Sequence, residues 1–143
     1  MTDIHTAVWD WLMGCPAIRD FYFSFARADN GDTALVPVGD NPIAEYIGGG
    51  SSRRAVYALV RYDAISDAPN SDDNIAVILD VDRIAEWIEA QDAAGTFPDM
   101  PNGCIAEGLT VLSASDFAAQ DEGQAKMMFQ FALDYHKEVK HYG

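Results

Sequence analysis

The side chains that could do chemistry are few, and their spacing matches no reactive constellation. The metal-ligating and nucleophilic candidates are His5, His136 and His141 with Cys15 and Cys104. His136 and His141 stand five apart, HExxH is absent, and the cysteines form no CxxC pair, so no zinc site is expected. Asp80 and Asp82 would lie about 200° apart on a helix and would not converge on a cation. The acidic run 67–73 lacks the glycine and terminal glutamate of a calcium loop. No GxSxG elbow frames a serine. Cys15 sits before Pro16 at a helix end, whereas an activated thiolate favours a helix start. Gly48-Gly49-Gly50-Ser51-Ser52 lacks the Lys-Ser/Thr of a phosphate loop and opens no helix, so it reads as a flexible turn into a strand. These patterns call for no catalysis and no cofactor.

The elements that would position these residues follow from periodicity. Ile4, Ala7, Val8, Trp11 and Leu12 share one helical face, with Thr2 as the expected N-cap and Gly14-Cys15-Pro16 as the stop. Phe21, Phe23 and Phe25 alternate with Tyr22, Ser24 and Ala26 as a strand. Asn30-Gly31 predicts a tight hairpin into a returning strand, Thr33 to Val38, with Pro37 marking its end or a sheet edge. Residues 39–51 read as a loop around a short apolar piece, and 53–62 alternate as the next strand. Residues 66–73 read as a polar loop.

Ile78, Val81, Ile84, Ala85 and Ile88 predict a second helix fading at Ala94-Gly95, although Ile75 to Leu79 could start as a strand. The stretch 97–103 is a rigid connector. Two strands close the chain. The first holds Ile105, Leu109 and Val111, and a turn follows at Asp121-Glu122-Gly123. In the second, Met127, Phe129, Phe131, Leu133 and Tyr135 alternate with polar or small residues. At ~14 residues that strand would span roughly 45 Å, enough to cross or overhang a domain of this size and so to favour self-assembly.

The chain has 143 residues, 49% of them apolar, and neither repeats nor a linker between two cores. One domain over 1–143 with a sizeable core is expected. No apolar run approaches a membrane span. The opening MTDIHTAVWDW has neither a basic nor an apolar leader region, so no cleaved signal is expected. Two free thiols in a reducing compartment are the default. Nine basic against 23 acidic side chains give a net charge of −14. Such a chain should not hold nucleic acid by its phosphates. The imbalance is concentrated, since residues 62–125 hold a single base, Arg83, and 14 acids.

One run resembles a known family. Pro42-Ile43-Ala44-Glu45-Tyr46-Ile47-Gly48-Gly49-Gly50-Ser51, followed by the alternating strand 53–62, is similar to the central motif of the minor capsid or tail terminator proteins of long-tailed (siphovirus-type) phages. In that family a Y-I-D-G segment leads into a strand with arginine and aromatic residues. The helix ending at 85–91, the Gly95-Thr96-Phe97-Pro98 connector, the closing strand 124–137 and the early strand 21–28 fit the same order. Gly49 stands where the family often has aspartate, so no role for an acid carries over there. The resemblance covers roughly residues 1–138.

The resemblance implies a virion protein made in the bacterial host cytoplasm. It would cap the tail tube and join tail to capsid as a homo-oligomeric, hexameric ring. Its partners would be the tail tube and head-completion or connector proteins, with DNA passing through the channel without specific binding and no membrane contact. An acidic ring suits that passage. Arg53, Arg54 and Arg61, three bases in an acidic chain, are the candidate contacts to a neighbouring subunit. The expected fold is α+β: a mostly antiparallel, mixed sheet with two main helices packed on it and a long C-terminal β-hairpin. The rival reading is an acidic protein-binding module, a DNA mimic or host-takeover factor acting on a basic partner.

Overall fold

The computed structural model describes residues 3–18, 21–23, 33–46, 49–64, 72–112, 116–121 and 124–138. The elements run α1 (Ile4–Leu12), β1 (Phe21–Phe23), β2 (Thr33–Glu45), β3 (Ser51–Ala64), α2 (Asp72–Ala94), β4 (Cys104–Val111), β5 (Asp116–Asp121) and β6 (Gln124–Lys137). They form the expected α+β fold. The strands make one mixed sheet in the order β1-β2-β3-β6-β4, with β5 also on β6.

β3 and β6 form the centre of the sheet, paired antiparallel over all 14 residues from Ser51↔Lys137 to Ala64↔Gln124. The alternation in β6 puts Met127, Phe129, Phe131, Leu133 and Tyr135 on one buried face. On β3 the same face carries Tyr57 and Leu59, opposite Phe131 and Phe129. Both helices pack there. α1 buries Val8 and Leu12, and α2 buries Val81, Ile84 and Ile88, in one cluster with these strand residues. Trp11 joins the two layers: its ring lies 4.9 Å from that of Trp87 and 6.4 Å from that of Phe131.

The C-terminal hairpin is long, but its first arm is interrupted. β4 pairs with β6 from Cys104↔Lys137 to Val111↔Phe131, and β5 continues on the same edge from Asp116↔Met128 to Asp121↔Gln124. β5 is an element that the periodicity did not reveal. Of the expected turn at 121–123, residues 122 and 123 lie outside the described residues.

Four other expectations are corrected. The N-cap is Asp3, not Thr2: its Oδ1 accepts the Thr6 N–H at 2.7 Å. A carboxylate at the residue just before the first turn satisfies one of its orphan donors.

β1 pairs with β2 in parallel, Phe21↔Thr33 to Phe23↔Leu35, so the two strands are not arms of a hairpin. Phe21 is placed by α1, where Trp9 stacks on it at 4.2 Å and 4°. Asn30-Gly31 itself lies outside the described residues, as do residues 66–71 of the expected loop before α2.

Residues 39–45 are strand, not loop. β2 runs through both of its prolines to Glu45, with register shifts between Pro37 and Gly39 and between Pro42 and Ala44. Among the described residues only Thr33 to Leu35 is covered by β1, so the rest of β2 is a sheet edge there, where a residue without an N–H is tolerated. Finally, α2 begins at Asp72, so the last two residues of the expected 66–73 loop are helical; Ile75 to Leu79 follows the helix reading and not the alternative strand start.

α2 ends where expected. Gly95 adopts φ +71, its N–H reaches Asp92 O, and the Thr96 N–H reaches Gln91 O. That is the paired bonding of a glycine C-cap.

Candidate functional site

The apolar row of the core turns polar where α1 begins. Tyr57 on β3 shares a 2.8 Å hydrogen bond with Nδ1 of His5 in the first turn of α1. Further along the face, Tyr135 on β6 donates to Asp40 Oδ2 at 2.6 Å. Arg53 on β3, opposite Tyr135, donates from Nε to Asp40 Oδ1 at 3.1 Å and from Nη2 to the Asp40 carbonyl at 3.3 Å. The register shift at Gly39 brings Asp40 opposite Ala55, on the face of these partners. One carboxylate therefore braces three strands.

Electrostatics fixes the character of this array. Burial pushes the Tyr57 phenol well above its usual ionisation range, and the nearby Asp40 carboxylate adds to the shift. Tyr135 is raised by burial and by its bond to Asp40. Both are neutral hydroxyls at physiological pH, suited to holding a carboxylate and a histidine in place. The thiols follow the same rule. Burial raises Cys15, and it raises Cys104 against the pull of Lys137. Thiols shifted this way are poor nucleophiles.

The three arginines of the sequence reading have different fates. Arg53 is held by Asp40 as above. Arg54, on the other face, makes a two-pronged contact with Asp134, Nε to Oδ1 at 2.7 Å and Nη2 to Oδ2 at 3.0 Å. Arg61 is 1% exposed, and its Nη1 donates to the Ala17 carbonyl at 3.2 Å, fastening the segment after α1 to the sheet. Arg61 is thus an interior residue of this chain, and Arg53 and Arg54 are each matched by an acid across a strand pair.

The histidines are not brought together. His5 meets Tyr57. The His136 ring lies 5.8 Å from that of Tyr46 and against Gly50, on the opposite face of the sheet. His141 lies outside the described residues. Among the described residues no group of three or more His, Cys, Asp or Glu side chains could hold a metal ion. No helix among them is long and apolar enough to cross a membrane.

Two concavities flank α1. The larger, about 690 Å³, lies between the end of α1 and α2 and is lined by Cys15, Pro16, Ala17, Arg83, Glu86, Trp87 and Ala90. The smaller, about 270 Å³, is bounded by Asp3, His5, Thr6 and Trp9. Sequence reasoning missed both the larger cleft and the Asp40 brace. Arg83 was legible as the single base of a long acidic stretch, and that was the available signal for the cleft. The brace was hidden by reading residues 39–51 as a loop. No protein-family profile matches the chain, and no curated protein matches it in sequence.

Proposed function

We propose that the protein is a structural component of a phage neck or tail end, a tail terminator or head–tail connector that works as a ring around the DNA channel. The reading rests on the resemblance in segment order around residues 42–62, 85–98 and 124–137. The observation that carries it furthest is the outer end of the sheet. β2 begins fully buried at Thr33 to Leu35 and is exposed throughout from Asp40 to Glu45. This end extends past the start of α1 and carries Ile43 at 58% and Tyr46 at 52% exposure. A rigid strand end with exposed large apolar side chains is the kind of surface a neighbouring subunit covers. The braced tyrosines, arginines and Asp40 would keep that end stiff. The charge of −14 favours a channel that does not grip phosphate.

Electron microscopy of the concentrated protein tests the reading. Six-fold rings with an open centre are expected. Particles of single-chain size at every concentration would overturn it.

One observation favours a second reading. The 14 acids against one base in residues 62–125 suit an acidic module that meets a cationic protein. That reading requires a complex with a basic partner that weakens steeply as salt is raised.

A further inference from the structure

Asparagine side chains take no part in the site described above, and what each can do depends on the residue after it. The amide carbon of an asparagine can be attacked by the backbone nitrogen of the next residue, which closes a five-membered ring. The attack needs an N–H on that residue and no bulk beside it. Asn41 precedes Pro42, which has no N–H. Asn74 lies inside α2 and precedes the β-branched Ile75. Asn30 and Asn70 lie outside the described residues. Asn102 precedes Gly103 in the connector between α2 and β4.

The connector holds Asn102-Gly103 in a turn. The Cys104 N–H reaches Pro101 O at 3.0 Å, so Asn102 and Gly103 are the two central residues. Gly103 takes φ +84, the positive value that a type II or I′ turn requires at its third position and that glycine supplies at no steric cost. The bond that closes the turn uses the N–H of Cys104 and not that of Gly103. Asn102 is exposed. Apart from the chain neighbours, nothing described lies within 4 Å of where a Gly103 Cβ would stand. The side-chain amide and the glycine nitrogen are therefore adjacent, uncrowded and in reach of water.

We propose that Asn102-Gly103 is a site of spontaneous covalent modification in the folded chain, which deamidates there through a cyclic imide. The Gly103 nitrogen loses its proton to solvent and bonds to Asn102 Cγ. The Cγ–Nδ2 bond breaks, and that nitrogen takes a proton from solvent and leaves as ammonia. Water then opens the ring. Cleavage at Cγ restores the normal chain with an aspartate at 102. Cleavage at the main-chain carbonyl leaves an isoaspartate, whose backbone runs through Cβ and Cγ and is one carbon longer. Water is the only co-reactant, and nothing is oxidised or reduced. Either product adds a negative charge to the chain.

The turn sits where the extra carbon matters. Gly103 O accepts the Glu138 N–H at 2.8 Å. This bond lies just past the Cys104↔Lys137 pair that opens β4, and Lys137 pairs with Ser51 on its other side. An isoaspartate at 102 displaces the Gly103 carbonyl and loosens β4 and β6 at the outer end of the sheet. The modification is independent of the ring reading and proceeds whether or not copies assemble.

Ageing the intact folded chain in mildly alkaline buffer tests the proposal, with an unaged sample digested in parallel. Trypsin releases residues 84–126 as one fragment with Asn102 as its single asparagine, so its mass reports this site alone. The aged fragment should be heavier by the difference between an amide and a carboxyl group, and it should accept a methyl group from an isoaspartate-specific methyltransferase. Asn102→Gln, whose longer side chain closes the ring far more slowly, should show neither change, with the circular dichroism of the parent. Amide hydrogen exchange at Glu138 should be several-fold faster in the isoaspartate form than in the unaged chain. If the folded chain gains no mass by the time the chain in urea has converted, the site is wrong. A gain of mass without isoaspartate, or an equal gain in Asn102→Gln, overturns the cyclic route. Unchanged exchange at Glu138 in the isoaspartate form overturns the coupling to the sheet end.

Discussion

Tyr57 and Tyr135 are where single residues have the largest measurable consequence. Both phenols ionise, when exposed, near pH 10.0, and in the folded chain both are raised above that value. Unfolding therefore releases protons above pH 10.0. The stability these residues give is complete below that pH and is lost as the pH rises past it. Alkaline titration followed by circular dichroism should show unfolding setting in above pH 10.0. The double variant Tyr57→Phe, Tyr135→Phe should be less stable at neutral pH by about 1–2 kcal/mol, with a flatter loss in alkali. Two glycines separate backbone strain from crowding. Gly95 has φ +71 and open space around a would-be Cβ, so Gly95→Ala should cost about 1–2 kcal/mol. Gly50 has φ +89, and its Cβ would lie 3.1 Å from the His136 ring. Gly50→Ala should therefore cost more than Gly95→Ala in the same urea titration. At this scale the sequence showed Arg53 and Arg54 as notable but not their partners. Asp40 and Asp134 lie 13 and 80 residues away, and only strand register brings them close.

Periodic elements were the most legible. α1, α2, β3 and β6 follow from their apolar spacing, and the Gly95 cap from one residue. The failures share a physical cause, which is that edges break the composition rules of central strands. Pro37 reads as a strand end or a sheet edge and residues from Gly39 on as loop, because a central strand cannot spare the N–H, yet among the described residues most of β2 lies on an edge and continues through Pro42. The alternation from Phe21 marks β1 as a strand, but its parallel pairing with β2 is a matter of chain path that no periodicity carries. The β4 edge shows how the helix layer supports the sheet. At its register shift between Ala106 and Gly108, the Leu109 N–H is taken by Asp92 Oδ1 of α2 at 3.0 Å. Asp92→Ala leaves that part-buried donor unmet and should lower unfolding stability by about 1–3 kcal/mol. Asp92→Asn, which keeps an acceptor oxygen, should recover most of it. The prolines predict behaviour too. Replacing Pro37 and Pro42 together by Thr restores two N–H donors to a β2 edge that β1 does not cover, and should raise aggregation on heating, followed by turbidity.

For the whole molecule, the fold class and the two-helix layer were legible, but the surface that could join copies was not. It is the exposed outer end of the sheet from Asp40 to Tyr46, which only the strand register defines. Charge separates the two functional readings. Copies at −14 repel, and salt screens that repulsion, so ring assembly should strengthen between low and moderate salt. Binding of an acidic module to a cationic partner should weaken over the same range. The most direct test of the central claim is absolute mass by light scattering, from micromolar to near-millimolar protein at both salt levels. Assembly as a ring predicts a rise toward six times 15.6 kDa, favoured by concentration and salt. A mass of 15.6 kDa at every concentration and both salt levels would contradict it.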